Sequence, residues 1–406
     1  MYDFAVMAAW IEFGVRWLHV ITAIAWIGSS FYFIALDLGL HRDRNLSSGA
    51  DGEEWQVHGG GFYHIQKYLV APENMPDGLI WHKWQSYWTW ISGFALLVLV
   101  YYLGAEFYLI DPAVMDLSAW QAVGISLVSL AFGWIAYTTL CRVFVDADQT
   151  VLMVALFAVL VAMSWFYTQV FSGRAAMLHL GAFTATIMSA NVFMIIIPNQ
   201  KIVVADLMAG RTPDAKYGKI AKQRSTHNNY LTLPVIFLML SNHYPLAFAT
   251  QNTWIIASLV FLMGVTIRHY FNSIHARQGN PHWTWAVTAL IFIAIMWLST
   301  APMSGAETEE AHGDAVRYAE APGFDDVQDI VLGRCSMCHA AEPVWDGLLW
   351  APKGVRLETA YDITRHARDI YLQAGVSHAM PPANLSWMED AERALIVAWY
   401  KAASDG

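Results

Sequence analysis

Apolar residues run along this chain in long blocks separated by short polar connections. Residues 13–38, 82–104, 118–140, 149–171, 174–197, 228–248, 252–272 and 282–302 form such blocks. Each is close to the roughly 20 residues a helix needs to cross a hydrocarbon core. The pattern predicts an all-α chain in which residues 1–302 form an eight-helix transmembrane bundle. Beyond Pro302 the blocks stop: residues 303–324 read as a linker and 325–406 as a soluble domain, with helices expected over 325–333 and 389–403. The first block reads as a retained span, because no basic region precedes it and Glu12 and Arg16 sit at its start.

Composition sharpens this division. Charged residues make up 14% of the chain, against about 25% in soluble domains. Three cysteines exclude a disulfide framework, and a net charge of −10 argues against nucleic acid as a partner. That charge is concentrated in the tail: residues 1–302 hold 15 Lys and Arg against 16 Asp and Glu, residues 303–406 hold 8 against 17. With eight spans and an outside N-terminus, 13 of the 15 basic residues before Pro302 fall on inner segments, and only Arg16 and Arg174 fall outside. Basic loops stay in the cytoplasm, so both termini and the acidic tail are expected on the outer face.

Two inner connections are long. Residues 39–81 contain His58-Gly59-Gly60-Gly61 and an Ala71-Pro72-Glu73 turn, and their aromatic content argues against disorder. Residues 198–227 are basic and read as a surface helix on anionic lipid.

The strongest chemical signal is Cys335-Ser336-Met337-Cys338-His339. Two thiols at this spacing each bond one vinyl group of a single heme, and the adjacent His reaches the iron. With only Cys141 elsewhere, a zinc site has little to draw on. The short helices around the motif resemble those of a class I cytochrome c. Met380, before Pro381-Pro382, is the expected sixth ligand to heme c, so His339 and Met380 would hold the metal. Covalent heme attachment takes place on the periplasmic side of a bacterial membrane. That agrees with the charge-based topology and points to a multi-pass protein of the bacterial inner membrane with a periplasmic cytochrome domain.

Ionisable residues within spans are functional candidates. The histidines sort into an outer layer (His19, His179, His243) and an inner one (His82, His227, His269). His19 with His179 is the first choice for a heme b pair, with His243, His82 and His269 as alternates. The second ring nitrogen of each is expected to find a carbonyl or hydroxyl partner, with Thr22 and Thr184 as candidates.

Taken together, several segments resemble the membrane-bound, cytochrome-c-fused urate oxidase (urate hydroxylase) family. They are Arg16-Trp17-Leu18-His19, Trp90-Ile91-Ser92-Gly93-Phe94, Asn191-Val192-Phe193, Ile197-Pro198-Asn199-Gln200, His227-Asn228-Asn229-Tyr230, Ser241-Asn242-His243-Tyr244-Pro245 and Arg268-His269-Tyr270-Phe271-Asn272, followed by the heme motif. The resemblance implies oxidation of urate to 5-hydroxyisourate without hydrogen peroxide. Electrons would pass to the c-type heme and on to a soluble cytochrome c or a terminal oxidase. A urate site needs an aromatic platform, amides and a cation. His227, Asn228, Asn229, Arg268 and Asn272 are the candidates, Asn199 and Gln200 lie nearby, and His227 and Glu73 are the acid–base candidates. Two other readings stay open: a quinol- or heme-linked electron-transfer subunit with a tethered cytochrome c, and a transport or accessory protein.

Overall fold

The computed structural model describes residues 4–68, 78–145, 148–248, 250–299, 314–345, 348 and 350–405. Helix dominates. α1 spans Phe4–Gly39, α2 Trp84–Leu96, α3 Ala119–Val143, α4 Gln149–Thr168, α5 Gly173–Ala190, α6 Ile197–Met208, α7 Ala215–Ser241, α8 Thr253–His275 and α9 Trp283–Ser299. Among the described residues, five helical stretches are long and apolar enough to cross a membrane: Ala5–Gly39, Ala119–Val143, Gln149–Thr168, Gly173–Met208 and Thr253–His275. α9 is apolar but shorter. Large side chains such as Trp10, Trp120, Phe292 and Trp297 face outward, as lipid-facing residues do when water is not the solvent.

Three elements differ from the sequence pattern. The α5 helix does not end near Ile197; wider turns over Asn191–Ile196 carry it into α6, and Pro198 is tolerated in the first turn after them. The basic stretch is not a separate surface helix, because residues 215–227 form the first half of α7. The all-α expectation also fails locally. Within the long connection after α1, β1 (Ala50–His58) and β2 (Gly61–Tyr68) form an antiparallel hairpin. Gly59 and Gly60 both have positive φ at its tip, the two-residue turn that matches strand twist. Trp55 stacks on His64 across the strands with ring centroids 4.2 Å apart. The Ala71-Pro72-Glu73 turn and Pro302 lie outside the described residues.

Close helix approaches explain two glycines. A Cβ on Gly264 of α8 would lie 2.4 Å from the ring of Pro234 in α7. Gly93 of α2 makes room for the His19 imidazole, which a Cβ there would meet at 2.8 Å.

A second core lies in the tail. α11 (Phe324–Arg334) and α12 (Asp390–Asp405) pack together through Val327, Val331, Ile396 and Trp399. Residues assigned to the linker contribute to it: α10 (Asp314–Ala319) is helical, and Tyr318 is buried, its carbonyl accepting the Trp399 indole N–H at 2.8 Å. The tail touches one end of the membrane helices. Tyr108 donates to Asp369 at 3.1 Å, Arg365 donates to the Phe107 carbonyl at 3.1 Å, and Arg368 lies 3.9 Å from Glu12. The hairpin sits at the opposite end of α1. There Asp37 meets Lys67 and Lys222, and Arg277 after α8 donates to the Gly39 carbonyl at 2.7 Å.

Candidate functional site

The end of the bundle near the hairpin holds a buried polar cluster. His227, Asn228 and Asn229 are consecutive on α7, so their side chains leave the helix about 100° apart and serve three different neighbours.

Asn229 faces α8. Its Oδ1 accepts from Arg268 Nε at 3.2 Å and from Asn272 Nδ2 at 3.0 Å, while Arg268 also donates to Asn272 Oδ1 at 2.9 Å. The guanidinium lies 4.1 Å from the ring centre of Phe31 on α1. All three polar residues are buried, and Asn229 Nδ2 has no hydrogen-bond partner among the described residues. A fork of donors, an unpaired amide and an aromatic face thus converge in a buried interior.

Asn228 faces the wide turns after α5. It donates to the Met188 carbonyl and accepts from Asn191 Nδ2, both at 2.9 Å. Asn191 also donates to the Tyr137 hydroxyl at 3.1 Å and accepts from Arg224 at 3.3 Å. Because the Tyr137 oxygen accepts from Asn191, its own proton is available to His227 Nδ1, 2.8 Å away.

The five inner candidates are therefore all buried, but they divide between two networks separated by α7. Sequence reasoning missed Phe31 and Tyr137 as members. It treated Asn191 only as part of a motif and Arg224 only as a topology marker. The spacing Arg224–His227–Asn228 on one helix was the available signal. Asn199 and Gln200 lie on α6, outside both networks, and Glu73 lies outside the described residues.

At the other end, the His19 Nδ1–H donates to the Thr89 carbonyl at 3.0 Å and lies 3.2 Å from Ser92 Oγ. The His179 Nδ1–H donates to the Ala175 carbonyl at 2.8 Å, and its Nε2 accepts from Ser126 Oγ at 2.9 Å. The candidate threonine partners are not used: Thr22 bonds the Leu18 and His19 carbonyls, and Thr184 bonds the Leu180 carbonyl. A helical residue's hydroxyl reaches its own preceding turn more easily than a ring on the same helix. His19 meets α2 at Gly93, and His179 meets Tyr101 in the wider helical turns over Leu97–Tyr102 that continue α2. Eight residues separate those contacts, about 12 Å along a helix. Arg16, Arg174 and Lys353 lie within electrostatic reach of His243. His82 packs edge-on against Phe33, and His269 lies 6.0 Å from Trp283 between ring centres.

In the tail, Cys335 and Cys338 follow α11 and are free thiols. Burial pushes the Cys335 thiol up to about 12 and also raises that of Cys338. The His339 Nδ1–H donates to the Val355 carbonyl at 2.8 Å, leaving Nε2 as a lone-pair donor. Met380 packs on the tail core, its backbone held by Gln373 and Arg393. Among the described residues no group of three or more His, Cys, Asp and Glu gathers as a metal cage; an axial His–Met pair needs none.

The fold and the inner cluster together define a multi-helix protein with spans long and apolar enough for a membrane and a cationic, amide-lined interior. A family model described as urate oxidase N-terminal matches residues 5–299, and the chain belongs to that family. Its relation is thus to urate chemistry and to oxidoreductases. No curated protein and no solved structure matches the chain.

Proposed function

We propose that the protein oxidises urate to 5-hydroxyisourate in the membrane domain without forming hydrogen peroxide, the electrons leaving through a C-terminal c-type heme. The supporting observation is the Arg268–Asn229–Asn272 cluster against Phe31, inside the region that matches the family. Urate is a planar anion with amide edges. Arg268 would neutralise it, Asn229 Nδ2 would donate to a ring carbonyl, and Phe31 would stack on its face. Loss of two electrons and two protons leaves an electrophilic ring carbon, to which water adds. Burial lowers the local dielectric and strengthens each of these contacts.

Cys335, Cys338, His339 and Met380 fit heme c: two thiols at attachment spacing, an imidazole already fixed in the ligating tautomer, and a thioether on the same core. When bound, that group supplies one-electron acceptance. Tyr108, Arg365 and Arg368 hold the tail against the bundle end that carries His19 and His179. The fit to heme b is uneven. His19 and His179 both carry the proton on Nδ1, but Nε2 of His179 is engaged by Ser126, and Tyr101, Tyr167 and Phe171 enclose the ring. A b heme on this pair, or on His243, His82 or His269, belongs to the proposal as a carrier to be sought spectroscopically. We also propose eight spans, with both termini and the tail periplasmic in a bacterial inner membrane, and a soluble cytochrome c or terminal oxidase as acceptor.

The decisive experiment is the anaerobic spectrum of purified full-length protein with and without urate. Urate should reduce a c-type heme. Reduction by quinol and not by urate would replace this reading with the electron-transfer subunit. His19→Ala or His179→Ala should remove any non-covalent heme absorbance while leaving the covalent heme, and retention of that absorbance in both would refute the pairing.

A further inference from the structure

The face of α7 opposite Asn229 opens onto a groove between α4, α7 and α8, with a volume of about 970 Å³. Its walls are mostly apolar, including Leu156, Phe157, Leu160, Leu231 and Phe261. Its mouth is basic: Lys216 and Lys219 line it, and no Asp or Glu does among the described residues. Lys216 shares its charge with Asp214 at 2.9 Å, while Lys219 has no ion-pair partner among the described residues.

A second observation comes from His227, which lines this groove and is 2% exposed. The Tyr137 hydroxyl lies 2.8 Å from its Nδ1, and with Tyr137 as the donor there the ring proton sits on Nε2. That N–H has no acceptor among the described residues. A buried donor left without an acceptor is destabilising, and a ligand carrying an acceptor would relieve it.

We propose that the groove is a binding site for one anionic phospholipid of the inner leaflet. One acyl chain lies along the apolar walls, an ester carbonyl accepts from His227 Nε2–H, and the phosphate meets Lys216 and Lys219. His227 is eight residues beyond Lys219, about 12 Å along α7, a span that a glycerophosphate head and its ester linkage fill. Charge complementarity selects the anionic headgroup over a neutral one. The carbonyl requirement selects an ester-linked lipid over a bare hydrocarbon. The site rests on the inner-face assignment of α7's start and is independent of urate oxidation.

The test is titration of the detergent-purified full-length protein with phosphatidylglycerol, read by native mass spectrometry. One tightly held lipid is expected. Lys216→Gln with Lys219→Gln should weaken it about 30-fold, and phosphatidylcholine should bind as weakly as phosphatidylglycerol does to that variant. Val265→Trp or, separately, Leu262→Trp should abolish binding by filling the groove. Dialkyl-ether phosphatidylglycerol, which lacks the carbonyls, should bind several-fold more weakly to wild type. Equal occupancy in wild type and both tryptophan variants that retain wild-type thermal stability would overturn the site. Equal binding of phosphatidylcholine would overturn the anionic assignment, and equal binding of the ether lipid would overturn the role of His227. None of these readouts involves urate, so a failed urate assay leaves the lipid result standing, and the reverse.

Discussion

Arg268→Gln is the most informative single change. The side chain is 5% exposed, donates to Asn229 and Asn272, and lies over Phe31. Of its five N–H donors, two are used in these bonds, so the remainder are available to an anion. Glutamine is shorter, but its amide nitrogen falls at the level of the arginine Nε and can still donate to Asn229, which limits structural loss. What disappears is the positive charge facing the substrate. A hydrogen bond to a charged group is worth about 1.5–3 kcal/mol, so kcat/KM for urate should fall about 10- to 150-fold. The effect should appear mainly in KM if urate is held equally well before and during oxidation. Arg268→Lys keeps the charge but loses the planar fork and should fall between wild type and Gln. The assay is anaerobic stopped-flow reduction of the covalent heme by urate, with chemical reduction by dithionite as the control for heme content. Wild-type kcat/KM in a folded, heme-replete Arg268→Gln protein would refute the placement of the substrate at this cluster.

Replacing both Cys335 and Cys338 by Ala should eliminate covalently bound heme, read by heme staining of denatured protein; Met380→Ala should keep the heme but lower its midpoint potential. Gly264→Ala should destabilise the bundle by about 1–3 kcal/mol through overpacking, because the added Cβ falls 2.4 Å from the Pro234 ring, which cannot move away from its own backbone; an unchanged melting temperature would show that the two helices shift apart freely. A reporter fused after Gly406 should be active in the periplasm and one inserted near Pro213 in the cytoplasm, and a periplasmic signal at Pro213 would break the proposed order of spans. The hydrogen bond from His64 holds the Glu53 carboxyl below its usual range, so its support of the hairpin is full above the ordinary carboxylate pKa and lost as pH falls through the lowered folded value. The thermal stability this carboxylate contributes should therefore decline below about pH 4, read as a fall in melting temperature that Glu53→Gln reduces.

Much of this molecule is legible in one dimension because the membrane imposes a one-dimensional rule. A helix in hydrocarbon satisfies its own backbone groups, so apolar length alone marks where α1, α3, α4, α5 and α8 lie. The cysteine spacing at 335–338 is likewise local chemistry, and the two thiols and His339 are neighbours before any folding occurs. The basic stretch before His227 was legible as charge but not as shape. Its hydropathy ends the apolar block at residue 228, whereas helical hydrogen bonding continues back to Ala215, because a backbone helix does not require apolar side chains. The hairpin escaped for a related reason: its alternation is short, and a membrane-scale reading averages over it.

Only the tertiary structure decided which polar residues meet. Asn228 and Asn229 are adjacent in sequence and look equivalent, yet α-helical geometry sends one to Asn191 and the other to Arg268. Phe31 and Arg268 are separated by most of the membrane domain and meet only because α1 packs on α8. The same holds for Thr22 and Thr184, whose spacing to the histidines fitted a hydrogen bond that the helix's own carbonyls claim instead. Composition and periodicity report what each segment can bury. Side-chain partners depend on rotation about each helix axis and on which neighbour packs there, and a single sequence does not encode those in any local pattern.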